Sequence, residues 1–289
     1  MSPEPRIISS RRLLSTIVAF YAAARVAQAF PDRLPMLLIV ALHVLLPLVF
    51  VLIHGSVVYR FRGTLIFMLL WLAIGNLTEN LSILTGFPFG HYTFTDAMGP
   101  KLFHVPILLG LAYIGMGYIS WIVGSVILDP PGAPACGSRI WTRPLFAAFL
   151  MVAWDLSQEP VWANLVRAWV WRDGGPYFGV PVSNFLGWYL TVYLIYQSFS
   201  LYLLRRPTTP EPLPIAFRRL PVLMYSACAA GNVFVVAAPH QQTVADATGA
   251  QWRVADFFGV SLLASIFVMG AFAVGAWIRV SDSHAVAPR

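Results

Sequence analysis

The sequence predicts an all-α integral membrane protein, a bundle of about eight transmembrane helices (seven being possible) with both termini cytoplasmic. Three observations lead there. Of 289 residues, 58% are hydrophobic and only 11% are charged, and the mean hydropathy of +0.71 lies far from that of a soluble domain. A membrane helix needs about 20 mostly apolar residues, and eight segments qualify, at roughly 13–30, 34–58, 64–84, 105–128, 144–166, 181–204, 220–238 and 256–278. Finally, the apolar runs are continuous, whereas barrel strands alternate apolar and polar residues over about ten positions.

Charge placement orients the bundle. The net charge is +7, yet the basic residues occupy alternate loops and form no single patch, so no nucleic-acid partner is expected. With the N-terminus inside, thirteen basic residues fall on the inner side: Arg6, Arg11, Arg12, Arg60, Arg62, Arg139, Arg143, Arg205, Arg206, Arg218, Arg219, Arg279 and Arg289. Five fall outside: Arg33, Lys101, Arg167, Arg172 and Arg253. The positive-inside rule then places the Gly86–His104 connector on the outer face of a multi-pass cell-membrane protein. Cys136 and Cys228 sit in an inside loop and in the seventh helix, a placement that suits neither a disulfide nor a cysteine metal site.

In chain order, the first segment imitates a signal peptide, with arginines ahead of it and Ala27-Gln28-Ala29 behind. Arg25 interrupts the apolar stretch where cleavage needs it clean, so the segment is read as a membrane helix. Arg25 itself either snorkels or pairs with a buried carboxylate. His43 and His54 stand about three turns apart on one face of helix two and are expected to hydrogen-bond neighbouring helices. Residues 1–63 hold helices one and two of a single transmembrane domain spanning 1–289. A core of two hairpin units, 64–128 and 144–206, follows, and 207–289 hold helices seven and eight.

Helix three ends in Asn76, Thr78, Glu79, Asn80 and Ser82, too polar for a lipid-facing turn. The next stretch, Thr85-Gly86-Phe87-Pro88-Phe89-Gly90-His91-Tyr92, mixes turn formers with aromatics. It reads as a cap over the bundle: irregular backbone at membrane depth is tolerated only where protein or water covers it. His91 and Tyr92 are assigned to a cavity, while Phe87, Phe89 and Phe94 fit either a cavity or an interfacial aromatic belt. After the Pro/Gly-rich hinge Asp129–Arg143, helix five carries Trp154-Asp155-Leu156-Ser157-Gln158-Glu159-Pro160. Asp155 and Glu159 are i,i+4 and share a face. Two carboxyls so close in a low dielectric cannot both ionise cheaply, so one is expected to hold its proton. Pro160 opens the helix there and frees a carbonyl. The connector WVWRDGGPYFGV leads to Pro181, Asn184 and Trp188. The two hairpins echo each other: Glu79 precedes Val105-Pro106 by about as many residues as Asp155 precedes Val180-Pro181, and each connector has a Gly-x-Tyr, at Tyr92 and Tyr177. A duplicated hairpin would bring both acidic sites to one level. Beyond it, Leu204–Leu220 is a basic, Pro-rich inside loop, helix seven is rich in small residues suited to close packing, and Asp246 and Asp256 mark the outer loop and the mouth of helix eight.

Several membrane chemistries lack their parts. Lys101, the only lysine, lies in a connector, and six histidines without an HxxxH or HxxH cluster cannot supply a di-iron site. There is no DDxxD-like run for a diphosphate and no Gly-rich nucleotide loop. Carboxylates, amides and many aromatics (10 Trp, 11 Tyr, 20 Phe) remain. That inventory suits acid catalysis on an apolar polyene: a neutral carboxylic acid in a dry pocket protonates an alkene, and aromatic faces stabilise the cation by about 0.5–2 kcal/mol each. No metal and no other cofactor is required.

The motif ENLSILTGFPFGHYTF followed by Val105-Pro106, the motif AWDLSQEP, and GGPYFGVPVSNFLGW with Asn184, Gly187 and Trp188 resemble the membrane carotenoid-biosynthesis family that includes CruF-type carotenoid hydratases. The resemblance covers about residues 70–205. It implies addition of water to the terminal 1′,2′ double bond of an acyclic carotenoid end, such as that of γ-carotene or of bacterioruberin precursors. The implied partners are the carotenoid, the lipid bilayer and other carotenoid biosynthesis enzymes. The family commonly has Asp where this chain has Glu159, which leaves the split between acid and water roles open. On this reading Asp155, or else Glu79, donates the proton, Glu159 and Asn184 orient water, and Asn80, Phe89, His91, Tyr92, Tyr177 and Trp188 contact substrate. The alternatives are a non-catalytic carotenoid-binding or scaffold protein and, more weakly, a proton-coupled small-solute transporter.

Overall fold

A computed structural model describes residues 3–30, 33, 35–129, 136–205, 213–236 and 242–282. The hinge at 130–135, Arg206 with 207–212, Arg289 and the side chain of Arg6 lie outside the described residues. Eight helical rods are present among the described residues: α1 Pro3–Ala27, α2 Met36–Val58, α3 Arg60–Thr85, α4 Ile107–Leu128, α5 Arg139–Val161, α6 Val182–Leu204, α7 Ile215–Val236 and α8 Val254–Asp282. Three contain a π-helical turn: Trp71–Gly75 within α3, Trp162–Val166 continuing α5, and Ala264–Met269 within α8.

Six of the rods are long and apolar enough to cross a membrane. The exceptions, α5 and α6, are the two helices that pack most extensively on each other. Their hydropathy is lowered by Arg143, Asp155, Glu159, Asn184 and Gln197, all of which are buried. Their polarity is therefore spent inside the bundle and not against lipid. Helix α1 packs on both α2 and α7, as a member of the bundle.

The connectors α3–α4, α5–α6 and α7–α8 meet at one end. Helix α3 stops at Gly86, whose left-handed conformation (φ 81°) suits a C-cap without a Cβ. The chain then returns over the bundle, held by Ser82 Oγ, which accepts from Phe89 N (3.0 Å) and donates to Gly90 O (2.9 Å). Strand β1 (Tyr92–Phe94) follows, then the short hairpin β2 (Lys101–Leu102) and β3 (Val105–Pro106). Across the bundle, β1 pairs antiparallel with β4 (Trp169–Trp171), Tyr92 opposite Trp171 and Phe94 opposite Trp169, joining the two hairpin units. A third ribbon, β5 (Thr243–Ala245) with β6 (Gln251–Arg253), carries Asp246 at its turn, and Asp256 caps the start of α8. Gly187 in α6 lets the α3–α4 connector descend, because a Cβ there would stand 2.6 Å from Pro88 O.

At the other end, Asp129 accepts from Arg143 (2.6 Å) and pairs with Arg139 (3.2 Å), fastening α4 to α5. Between the two ends, Phe67, Tyr118, Trp121, Tyr196 and Phe199 make the aromatic centre of the core. The histidines of α2 do bond to neighbouring helices: His54 Nδ1 meets Tyr118 OH at 2.7 Å, and His43 Nε2 meets Arg25 at 3.2 Å.

Candidate functional site

Glu79 of α3 and Asp155 and Glu159 of α5 are only 3%, 8% and 2% exposed. The π-turn Trp71–Gly75 ends four residues before Glu79, and the extra residue it holds shifts the facing of every later side chain. Two neutral hydroxyls address Glu79: Tyr92 donates to its Oε2, and Tyr113 of α4 is a further partner. Glu159 Oε1 accepts from both Trp169 Nε1 (2.7 Å) and Trp171 Nε1 (2.9 Å). Residues two apart on a strand face the same way, so the Trp-Val-Trp of β4 presents both indoles to one carboxylate while Val170 faces out. Asp155 has the sparsest cradle: among the described residues its one hydrogen-bond donor is Asn184 Nδ2, at 3.2 Å from Oδ2.

These groups border two adjoining spaces. A small space of about 10 Å³ is lined by Glu79, Tyr92, Glu159, Asn184, Trp171 and Trp188, among others, near the minimum of about 10–15 Å³ that one water occupies. A cleft of about 70 Å³ continues past Tyr113, Asp155, Glu159 and Trp162 to Tyr21, Arg25 and His43. Ring stacking builds the wall: Phe89 lies 5.0 Å from Trp188, and Trp188 lies 4.4 Å edge-on from Tyr113.

The fold thus brings together seven of the residues singled out from sequence: Glu79, Phe89, Tyr92, Asp155, Glu159, Asn184 and Trp188. Three stand elsewhere. His91 is exposed, its ring against Gly86 on the outside of the turn, because its neighbour Tyr92 takes the inward place on β1. Asn80 donates to Asn76 O (2.7 Å) and accepts from His104 N (3.2 Å), tying the connector to α3 without reaching either space. Tyr177 gives its hydroxyl to Leu156 O at 2.8 Å and borders neither space. Arg25 departs from both of its expected roles. Its guanidinium donates to Gln28 Oε1 (2.6 Å) and Asn232 Oδ1 (2.8 Å) and meets His43, all neutral partners.

Sequence reasoning missed Tyr113, Trp169 and Trp171. The Trp-x-Trp alternation was a usable signal for the indoles. Tyr113 carries none, since nothing local separates it from the other aromatics of α4.

A family described as "Carotenoid biosynthesis protein" matches residues 37–255, about three quarters of the chain. No curated protein and no solved structure matches it.

Proposed function

The chain belongs to the carotenoid biosynthesis protein family, and from that premise we propose that it is a carotenoid hydratase, adding water to the terminal 1′,2′ double bond of an acyclic carotenoid end. The observation that carries this reading is the placing of Glu79, Asp155 and Glu159, from two separate hairpins, on two adjoining aromatic-walled spaces that share Glu159.

The hydrogen bonding divides the roles. Donors aimed at a carboxylate favour its charged form, and Glu159 takes two indole N–H groups whereas Asp155 takes one amide. Asp155 is therefore the acid. Its O–H proton passes to C2′ as the π electrons form the new C–H bond, leaving a tertiary cation at C1′. Trp188, Tyr113 and Phe89 turn ring faces or edges to this region, and each face that meets the cation contributes about 0.5–2 kcal/mol. Water held between Glu159 and Asn184 attacks C1′ and gives a proton to Glu159, and proton transfer back to Asp155 restores the starting state. The sum is alkene plus water to tertiary alcohol, with no electrons supplied or removed. Glu79, held by Tyr92 and Tyr113, fixes the connector over the site and completes its polar wall.

The test is production of the chain in cells that accumulate lycopene or γ-carotene. Pigment gaining the mass of one water supports the assignment. Pigment that is bound with unchanged mass would refute it in favour of non-catalytic carotenoid binding.

A further inference from the structure

A groove of about 630 Å³ lies between α1, α7 and α8, lined by Arg11, Arg12, Ser15 and Thr16 of α1, Arg219 and Leu223 of α7 and Trp277 of α8. It is remote from the acidic cluster. Arg25, Asn232 and Ser265 form one hydrogen-bonded line across the same three helices beside the cleft. From that line, Arg11, Arg219 and Trp277 are each displaced by 12 to 14 positions, toward the opposite end of the bundle. At 1.5 Å per residue this is about 20 Å along every helix. The groove therefore opens where the membrane-crossing segments begin or end.

Its chemistry is that of an interface. Three arginines line the groove, and among the described residues no carboxylate does. Arg219 stacks its guanidinium on the Trp277 ring at 4.8 Å and donates to Ser281 Oγ at 3.2 Å, while its buried Nε has no hydrogen-bond partner among the described residues. Beside the charges stand the half-exposed apolar surfaces of Leu223 and Trp277. Clustered arginines next to apolar surface at the edge of the hydrocarbon suit a phosphate group that brings acyl chains with it. A free anion would use the arginines and leave the leucine and tryptophan wetted.

We infer that this groove binds the headgroup phosphate of one anionic phospholipid, with Arg11, Arg12 and Arg219 as its ligands and Leu223 and Trp277 against its chains. The inference is independent of the reaction assigned to the acidic site.

The full chain in neutral detergent would be titrated with phosphatidylglycerol, phosphatidylcholine or inorganic phosphate and followed by native mass spectrometry. One phosphatidylglycerol should be retained per chain in preference to phosphatidylcholine. Because Arg219 packs on Trp277, its substitution can disturb folding, so the exposed Arg11 and Arg12 carry the test. The double variant R11Q/R12Q should lose retained lipid by about tenfold or more, whereas R60Q/R62Q, which removes two exposed arginines from the start of α3, should change it by less than about twofold. Equal retention of phosphatidylcholine, equal loss in the two double variants, or competition by millimolar inorganic phosphate would each overturn the proposal.

Discussion

Tyr177 donates its hydroxyl, at 2.8 Å, to the carbonyl of Leu156. That carbonyl lies four residues before Pro160, so it is the acceptor that loses its helical amide when proline occupies position 160. A residue from the α5–α6 connector thus replaces a bond missing from the turn that holds both Asp155 and Glu159. Asn164 works alongside, donating to Pro160 O and Phe178 O at 3.1 Å each.

Removing that hydroxyl in Y177F should destabilise the protein by about 0.5–1.5 kcal/mol, the net worth of a typical hydrogen bond at a part-buried position. In P160A the backbone amide returns and can bond Leu156 itself. The double variant Y177F/P160A should therefore lose less than the sum of the two single changes. Thermal unfolding of the four proteins in detergent measures the cycle; strict additivity would show that the two residues act separately.

Asp155→Asn keeps the side-chain size and its contact with Asn184 but removes the transferable proton. Hydration should fall by about 10²–10⁴-fold with the unfolding temperature little changed. Product analysis in carotenoid-producing cells reads the first quantity. Full activity in this variant would transfer the donor role to Glu79.

The paired indoles of β4 give a graded test. W169F and W171F each delete one hydrogen bond to Glu159. A bond to a charged group is worth about 1.5–3 kcal/mol, so each change should slow hydration by about tenfold or more. The double variant should be slower than either single one, since one remaining N–H still orients the carboxylate. An unaffected rate in both single variants would exclude Glu159 as the residue that holds water.

Asp246 supplies a pH-dependent element at the connector end of the bundle. Burial alone would raise its carboxyl, but the Thr248 hydroxyl, the Trp252 indole and the amides of Thr248 and Ala250 outweigh it, so Asp246 stays below the usual carboxylate range. A lowered folded value means that its stabilisation of the β5–β6 turn is fully present above the unfolded value of about 3.9 and is lost as pH falls through the lower folded one. Amide exchange at Thr248 and Ala250 should accelerate in that acidic window. In D246N the acceleration should be absent and exchange fast at every pH.

Sequence by itself determined the helical class and singled out the acids that the fold buries. In hydrocarbon every backbone polar group must be satisfied within its own segment, so long apolar runs declare helices. A carboxylate inside such a run is too costly to be incidental, and Glu79, Asp155 and Glu159 stand out for that reason. Tertiary structure decided which way each polar group faces and what it meets. Asn80 and His91 are polar and adjacent to the site in sequence, yet one ties down a loop and the other meets solvent. Arg25 finds Asn232 across 207 positions, and Glu159 takes its donors from a strand paired with another hairpin. The physical reason is that composition reports the cost of burying a polar group, whereas the partner that offsets the cost is chosen by helix packing, which no local pattern encodes.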